Sequence, residues 1–273
     1  MKVDLHLHTW VSDGDVAPAE VARLATAAGL DIIAITDHDT AAGVEEAVRA
    51  AQELPLTVVP GIEISTMWES HELHILGYWI DPKSDSILRH QTQAILRRSV
   101  RMEAMVDRLQ HLGIDVTMAD VQLAAGPTVQ TLGRPHLARA IHARGHTRYY
   151  AEAFVRYIGD GGPAYVAEGF PHPKEAIDTI HAAGGVAVWA HPSPEWFLEG
   201  VGLLAEWGID GIECFRPGME PATVESFERE ARARGLFPTG GSDWHGPQRF
   251  TLGEFSLYSA RIGELLAIGG VGV

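Results

Sequence analysis

His6 and His8 are separated by one residue, Asp37, His38 and Asp39 stand in a row, and Asp243 and His245 again flank a single residue. Imidazoles and carboxylates gathered in this way are the donor set of a cation site, because such groups are costly to bury unless something pairs with them. In an extended strand the period of two turns His6 and His8 to one side and Leu7 to the other, so both rings can converge on one ion. Asp13, followed by Gly14, is placed to fold back over the same strand end, although alone it also reads as a turn aspartate.

Further candidates lie along the chain. Glu63 interrupts the apolar run Val58 to Ile64, His74 sits within Leu73-His74-Ile75-Leu76, and His191 follows Val186 to Ala190. His38 is the ligand expected from its trio. Asp39 is read as an N-terminal cap for a helix beginning near Ala41, and Asp37 as a group that orients an imidazole. His71 and Glu72 are expected in a solvated loop. The candidates His6, His8, Asp13, His38, Glu63, His74, His191, Asp243 and His245 are too many for one four-coordinate ion. They suit two or three divalent ions sharing carboxylates, and the imidazole-carboxylate mix favours Mn, Fe or Zn over Ca, with Mg less suited.

The elements that must position these groups read as strands at 3–8 and 32–36, Thr57 to Ile64, Leu73 to Trp79, Val186 to Ala190, Ile209 to Phe215 and Phe237 to Gly240. Helices are expected at 18–28, with Pro18 in its first turn and Gly29 at its end, and at about 40–53, 174–183, 196–207 and 221–234. This alternation predicts an α/β fold: a mostly parallel sheet with helices outside it, open or closed into a barrel. Polar groups at the carboxyl ends of its strands then share one face. From 84 to 165 only helical patterns occur, at 86–112, 118–125, 134–144 and 150–158, so residues 1–83 and 166–273 form the main domain and 84–165 a helical insert. The tail Ile268 to Val273 is expected to fray.

A formal charge of −15 excludes a protein that coats duplex DNA through a broad basic surface. Cys214 is the only cysteine, which excludes a disulfide framework and a thiolate-rich zinc site. Met1 leads straight into the first ligand strand and no apolar run approaches a membrane span, so the cytoplasm is the expected location.

Taken together, Asp4 to Thr9 with Ser12-Asp13-Gly14, Ile35 to Asp39, Gly61 to Ser65, His74 to Gly77, Ala190-His191-Pro192 and Gly241 to His245 resemble the PHP (polymerase and histidinol phosphatase) superfamily. The resemblance implies a distorted (β/α)₇ barrel with a trinuclear metal site. It assigns His6, His8, Glu63 and Asp243 to one ion, Glu63, His74 and His191 to a second, and Asp13, His38 and His245 to a third. Within the superfamily the chain looks most like the small nucleotide phosphoesterases, which act as 3′,5′-nucleoside bisphosphate phosphatases or as exonucleases on the 5′ ends of short RNAs. That branch carries a helical insert, and Gly133-Arg134-Pro135-His136 resembles its phosphate-contacting motif, which makes Arg134 a bidentate clamp with His136 beside it.

The expected reaction is hydrolysis of a phosphate monoester by a hydroxide held between two ions roughly 3.5–4 Å apart, with Arg134 neutralising charge on the phosphoryl oxygens. Asp13, His38 and His245 stand nearest this chemistry, and a histidine near the third ion, or His136, is left to protonate the leaving alkoxide. Histidinol-phosphate phosphatase is a rival that shares the metal pattern. An amidohydrolase is another, but it calls for a lysine on a barrel strand, and Lys2, Lys83 and Lys174 are not mid-barrel. A metal-binding scaffold without activity is the third. Cys214 matches no ligand.

Overall fold

Strand β1, Lys2–Leu7, is buried from Val3 onward. Its alternation sends Val3, Leu5 and Leu7 into the apolar core and leaves Asp4 and His6, continued by His8, on the other side, all fully buried. The computed structural model describes residues 1–272 apart from 70, 168 and 249. After β1 come α1 (Pro18–Ala27), β2 (Ile32–Ile35), α2 (Val44–Ala51), β3 (Thr57–Trp68) and β4 (His71–Tyr78). The helices α3 (Asp85–His111), α4 (Met118–Ala125), α5 (Arg134–Ala143) and α6 (Tyr150–Ala153) follow, α6 running on into a π-helical turn, Phe154–Ile158. Then come α7 (Pro173–Ala182), β5 (Val186–Trp189), α8 (Phe197–Glu206), β6 (Gly211–Phe215), α9 (Pro221–Ala233), β7 (Phe237–Gly240), β8 (Leu257–Tyr258) and α10 (Gly263–Ile268).

The strands form one sheet in the order β7-β6-β5-β4-β3-β2-β1-β8. β1, β2 and β3 run parallel, as do β5, β6 and β7, while β4 is antiparallel to both β3 and β5. The sheet curls until the chain beyond β7 meets β1: His8 N donates to Trp244 O at 2.9 Å, and Trp244 N donates to His6 O at 3.3 Å. Gly241 allows this approach, since a Cβ there would lie 2.2 Å from His6 Cβ. The result is the expected α/β architecture, a nearly closed barrel with helices outside.

Strand β2 is apolar on both faces, as a strand covered by helices on one side and a filled barrel on the other must be. Helix α1 starts on Pro18 and ends before Gly29, whose φ of +75° suits the left-handed stop. A second apolar cluster, separate from the barrel core, joins Met105, Leu109, Val121, Leu137 and Ile141 of α3, α4 and α5 with Ile158.

Several expectations need correction. Helix α2 begins at Val44 with Gly43 at its cap, so Asp39 does not cap it. The expected loop at His71 and Glu72 is the start of β4, because the β3–β4 hairpin extends beyond the barrel rim. In the tail expected to fray, Gly270 N and Val271 N bond back to Ala267 O and Leu266 O, and Val271 packs on the core. Val273 of that tail lies outside the described residues.

Candidate metal centre

Glu63, fully buried on β3, is the point on which the other groups converge. Its Oε2 lies 3.3 Å from His6 Nε2, 3.1 Å from His8 Nε2 and 3.0 Å from His38 Nδ1. Its Oε1 lies 2.9 Å from His74 Nδ1 and 3.0 Å from His191 Nε2. Asp243 Oδ1 is 3.5 Å from His6 Nε2 and 3.2 Å from His8 Nε2. On the far side of His8, His245 Nε2 approaches Asp13 Oδ1 at 3.3 Å, and the His8 and His245 rings stack at 4.0 Å.

All nine candidates therefore meet in one place. Three overlapping sets of donor atoms have spacings that suit an ion: His6, His8, Glu63 and Asp243; His8, Asp13, His38 and His245; and His38, Glu63 and His74, with His191 against the last. His74 arrives by an unexpected route. It lies near the start of β4, and because β4 runs against its neighbours, that start coincides with the carboxyl ends of the parallel strands.

The donor atoms fit cations better than they fit one another. His6 Nε2, both ring nitrogens of His8, His38 Nδ1 and Glu63 Oε2 are buried and make no hydrogen bond to any described residue. Such groups are left unpaired in a folded protein only where something else satisfies them. Burial opposes charge on Asp13, Glu63 and Asp243, yet the surrounding imidazoles outweigh it and hold these carboxyls well below the usual range. Burial likewise opposes protonation of His8 and His74, but the facing carboxylates raise these rings to about 9 and about 10. His38 goes the other way, pushed by burial down to about 3.

Groups behind the donors fix their aim. Glu213 on β6 meets His6 Nδ1 at 2.9 Å through Oε1 and accepts His191 N–H at 2.7 Å through Oε2. With Nδ1 committed as a donor, the His6 Nε2 lone pair is left for a cation that Glu63 and Asp243 would share with it. Asp39, His191 and Asp243 adopt positive φ of 56°, 30° and 55°, a backbone strain that clusters at functional sites. Asp39 accepts from Ser65 N, meets His90 Nε2 at 2.8 Å and pairs with Arg98, which ties the His38 turn to α3. Asp37 makes no hydrogen bond to an imidazole among the described residues. It accepts from Thr9 N, Thr9 Oγ1 and Ser12 Oγ, so it fastens the β1 loop instead.

A cavity of about 430 Å³ opens over the donors, with Arg98, Arg101, Arg134 and Arg216 among its lining. Arg98 spends its nitrogens on Asp39, Ser65 Oγ and Leu132 O. Arg134 is held by Glu72 at 3.2 Å and by Asp160, with its guanidinium 5.3 Å from the Tyr165 ring centre. Burial works against charge on Glu72, but His74, Arg134 and Arg101 keep it well below the usual carboxyl range. His136, by contrast, is fully buried, and its Nδ1 accepts the Gly133 N–H at 2.9 Å; it does not line this cavity.

Sequence reasoning missed Glu213, Glu72, Arg98, Arg101 and Arg216. Glu213 carried a usable signal, since it interrupts the apolar run from Ile212 to Phe215 as Glu63 interrupts its own. The arginines carried none: the helix pattern of α3 does not say which charged face meets the barrel, and Arg216 stands just beyond β6 with nothing in its neighbours to mark it.

The PHP domain family model matches residues 4–111. The chain is 35% identical over 254 residues to a 5′-3′ exoribonuclease of Haemophilus influenzae, covering 90% of each. The chain belongs to the PHP family. It is also 30% identical to a 3′,5′-nucleoside bisphosphate phosphatase of Chromobacterium violaceum, covering 90% of this chain and 87% of that one. Among solved structures, an inferred metal-dependent phosphoesterase from Bifidobacterium adolescentis superposes with a TM-score of 0.87 at 33% identity, covering 99% of this chain and 96% of that one. Like other members of the family, this chain is a metal-dependent phosphoesterase.

Proposed function

We propose that the chain hydrolyses a phosphate monoester of a nucleotide, such as the 3′-phosphate of a 3′,5′-nucleoside bisphosphate. The observation that carries this reading is the juxtaposition of nine converging donor groups with a cavity walled by arginines. The named activities of its relatives, a nucleoside bisphosphate phosphatase and an exoribonuclease, support it.

In this reading His6, His8, Glu63 and Asp243 hold one ion, Glu63, His74 and His191 a second, and Asp13, His38 and His245 a third, with Mn, Fe or Zn the fitting elements. Such ions supply Lewis acidity toward phosphoryl oxygens and sharpen water as a nucleophile. The protein's own share is positional. Arg134, pre-aimed by Glu72 and Asp160, meets phosphate oxygens, and the low dielectric of the cavity strengthens that attraction. His136 supports this contact from below by holding the Gly133 turn. Helices α3 to α6 act as a cap, since Thr131 Oγ1 donates to His38 O at 2.8 Å and Gln130 N donates to Val11 O at 2.8 Å. No side chain is needed as a nucleophile.

A second cavity, about 510 Å³, favours a further substrate, the 5′ end of a short RNA. It touches Asp13 and His245 and runs past Pro135 toward Arg139, His142, Tyr150 and Gln248, which leaves room for chain beyond the scissile phosphate. We place the enzyme in the cytoplasm; no described helix is long and apolar enough to cross a membrane. The test is turnover by Mn-loaded protein of adenosine 3′,5′-bisphosphate, histidinol phosphate and 5′-phosphorylated oligoribonucleotides. Preference for histidinol phosphate would overturn the nucleotide reading.

A further inference from the structure

A third cavity, about 220 Å³, opens on the same metal centre from another direction. Its wall includes the ligand candidates His74 and His191, with His71, Trp189 and Trp196 opposite, and it shares Glu72, His74 and His191 with the arginine-lined cavity. The His71 and Trp196 rings stack at 4.5 Å with an interplanar angle of 12°, Trp68 stacks on Trp196 at 5.5 Å, and Trp189 meets Trp196 edge-on. This stack is half-buried at the end of the β3–β4 hairpin and is held from outside by α8, where a Cβ on Gly200 would fall 2.6 Å from the Trp196 ring. Neither the metal ligands nor the phosphate contacts use it.

We propose that this cavity receives the nucleobase of the substrate, which extends the His71–Trp196 stack while its sugar carries the scissile phosphate to the donors around Glu63. The proposal rests on the nucleotide reading above and adds the part of the substrate that reading leaves unplaced. Flat heterocycles of any sequence have a π-face, so stacking of this kind recognises a base without choosing among bases. The arrangement is also geometrically coherent: base and second phosphate enter through different cavities that meet at His74 and His191, and Arg134 is tethered to Asp160, which lines the base cavity. The rim polar groups Ser193 and Asp160 lie where base edges would pass, and neither imposes a single hydrogen-bond pattern.

The experiment is calorimetric binding of adenosine 5′-monophosphate and of 1-O-methylribose 5-phosphate, which lacks a base, to the Mn-loaded protein and to Trp196→Ala, Trp196→Phe and His71→Ala. The wild type should favour the nucleotide on the order of ten- to a hundredfold. Trp196→Ala and His71→Ala should each remove much of that ratio, and Trp196→Phe should retain most of it. Because the ratio compares two ligands on one protein, a general loss of folded material does not change it. A wild-type ratio near one, or a ratio untouched by both alanine variants, overturns the proposal. Base-dependent binding in a protein that hydrolyses no nucleotide would leave the subsite standing and sink the reading it was built on.

Discussion

Glu213 Oε1 lies 2.9 Å from His6 Nδ1, and the other oxygen of the same carboxylate accepts the backbone N–H of His191. One buried side chain on β6 thus sets the tautomer of a donor on β1 and the position of another after β5. Glu213→Gln, which keeps the shape, should weaken Mn binding roughly tenfold, and Glu213→Ala nearer a hundredfold. A competition titration against a chromogenic chelator would show this. Unchanged affinity in both variants would mean that the contact does not serve the metal.

Removal of metal should silence the enzyme reversibly. Protein stripped with a chelator should lose turnover of adenosine 3′,5′-bisphosphate and regain it on addition of Mn. Asp243→Ala and His38→Ala should lose on the order of a thousandfold or more even with Mn present. Circular dichroism should show both variants folded, because the barrel core lies beneath the donors. Full activity in either variant would remove that residue from the site.

The pair Asp39–Arg98 joins α3 to the turn that carries His38, with both side chains buried. Arg98→Ala leaves a buried carboxylate at positive φ that keeps His90 and the Ser65 N–H but loses its guanidinium partner. Urea unfolding should report a loss of about 3–5 kcal/mol. The double variant Asp39→Asn with Arg98→Met removes both charges and should recover part of that loss. Equal destabilisation in the single and double variants would indicate that the charge left behind is not the cause.

The donors were legible because burial makes polar residues conspicuous: His6, Glu63 and His74 each interrupt an apolar run, and apolar periodicity fixed where those runs lie. Direction was not legible. Nothing in Leu73-His74-Ile75-Leu76 says that β4 runs against its neighbours, so the route of His74 to the site needed the sheet itself. Asp39 was misread because a carboxylate before a helix looks like a cap, whereas its partners His90 and Arg98 lie 51 and 59 residues away. Arg134 was expected from its motif, but Arg98 and Arg101 were hidden for the same reason as the partners of Asp39, since they reach the cavity only when α3 docks on the barrel.

Gly241 is where the barrel closes, and Gly241→Ala tests how tightly. The added methyl would overlap His6 Cβ at 2.2 Å and His6 N at 2.5 Å, and strand backbone cannot yield as a flexible side chain can. Thermal unfolding of the metal-free protein should show a loss of at least 1–3 kcal/mol, about the cost of forcing extra volume into a packed interior. Mn affinity should fall as well, because His6 must move. An unchanged melting temperature would mean that β1 and the end of β7 are not held together.

His136 gives the stability of the metal-free protein a predictable acid dependence. Burial pushes its ring from the usual 6.5 to about 4, and neutral Nδ1 accepts the Gly133 N–H. The unfolded chain therefore takes up a proton near pH 6.5 that the folded chain refuses until about pH 4. The neutral ring's contribution is fully present above pH 6.5 and is lost as pH falls toward 4, up to about 3 kcal/mol for a shift of this size. His136→Asn offers Oδ1 to the same N–H and cannot titrate. The difference in urea-unfolding free energy between wild type and His136→Asn should move in the variant's favour between pH 6.5 and 4 and stay flat from 6.5 to 8. A difference that is flat across the acid range would show that the ring is not held neutral.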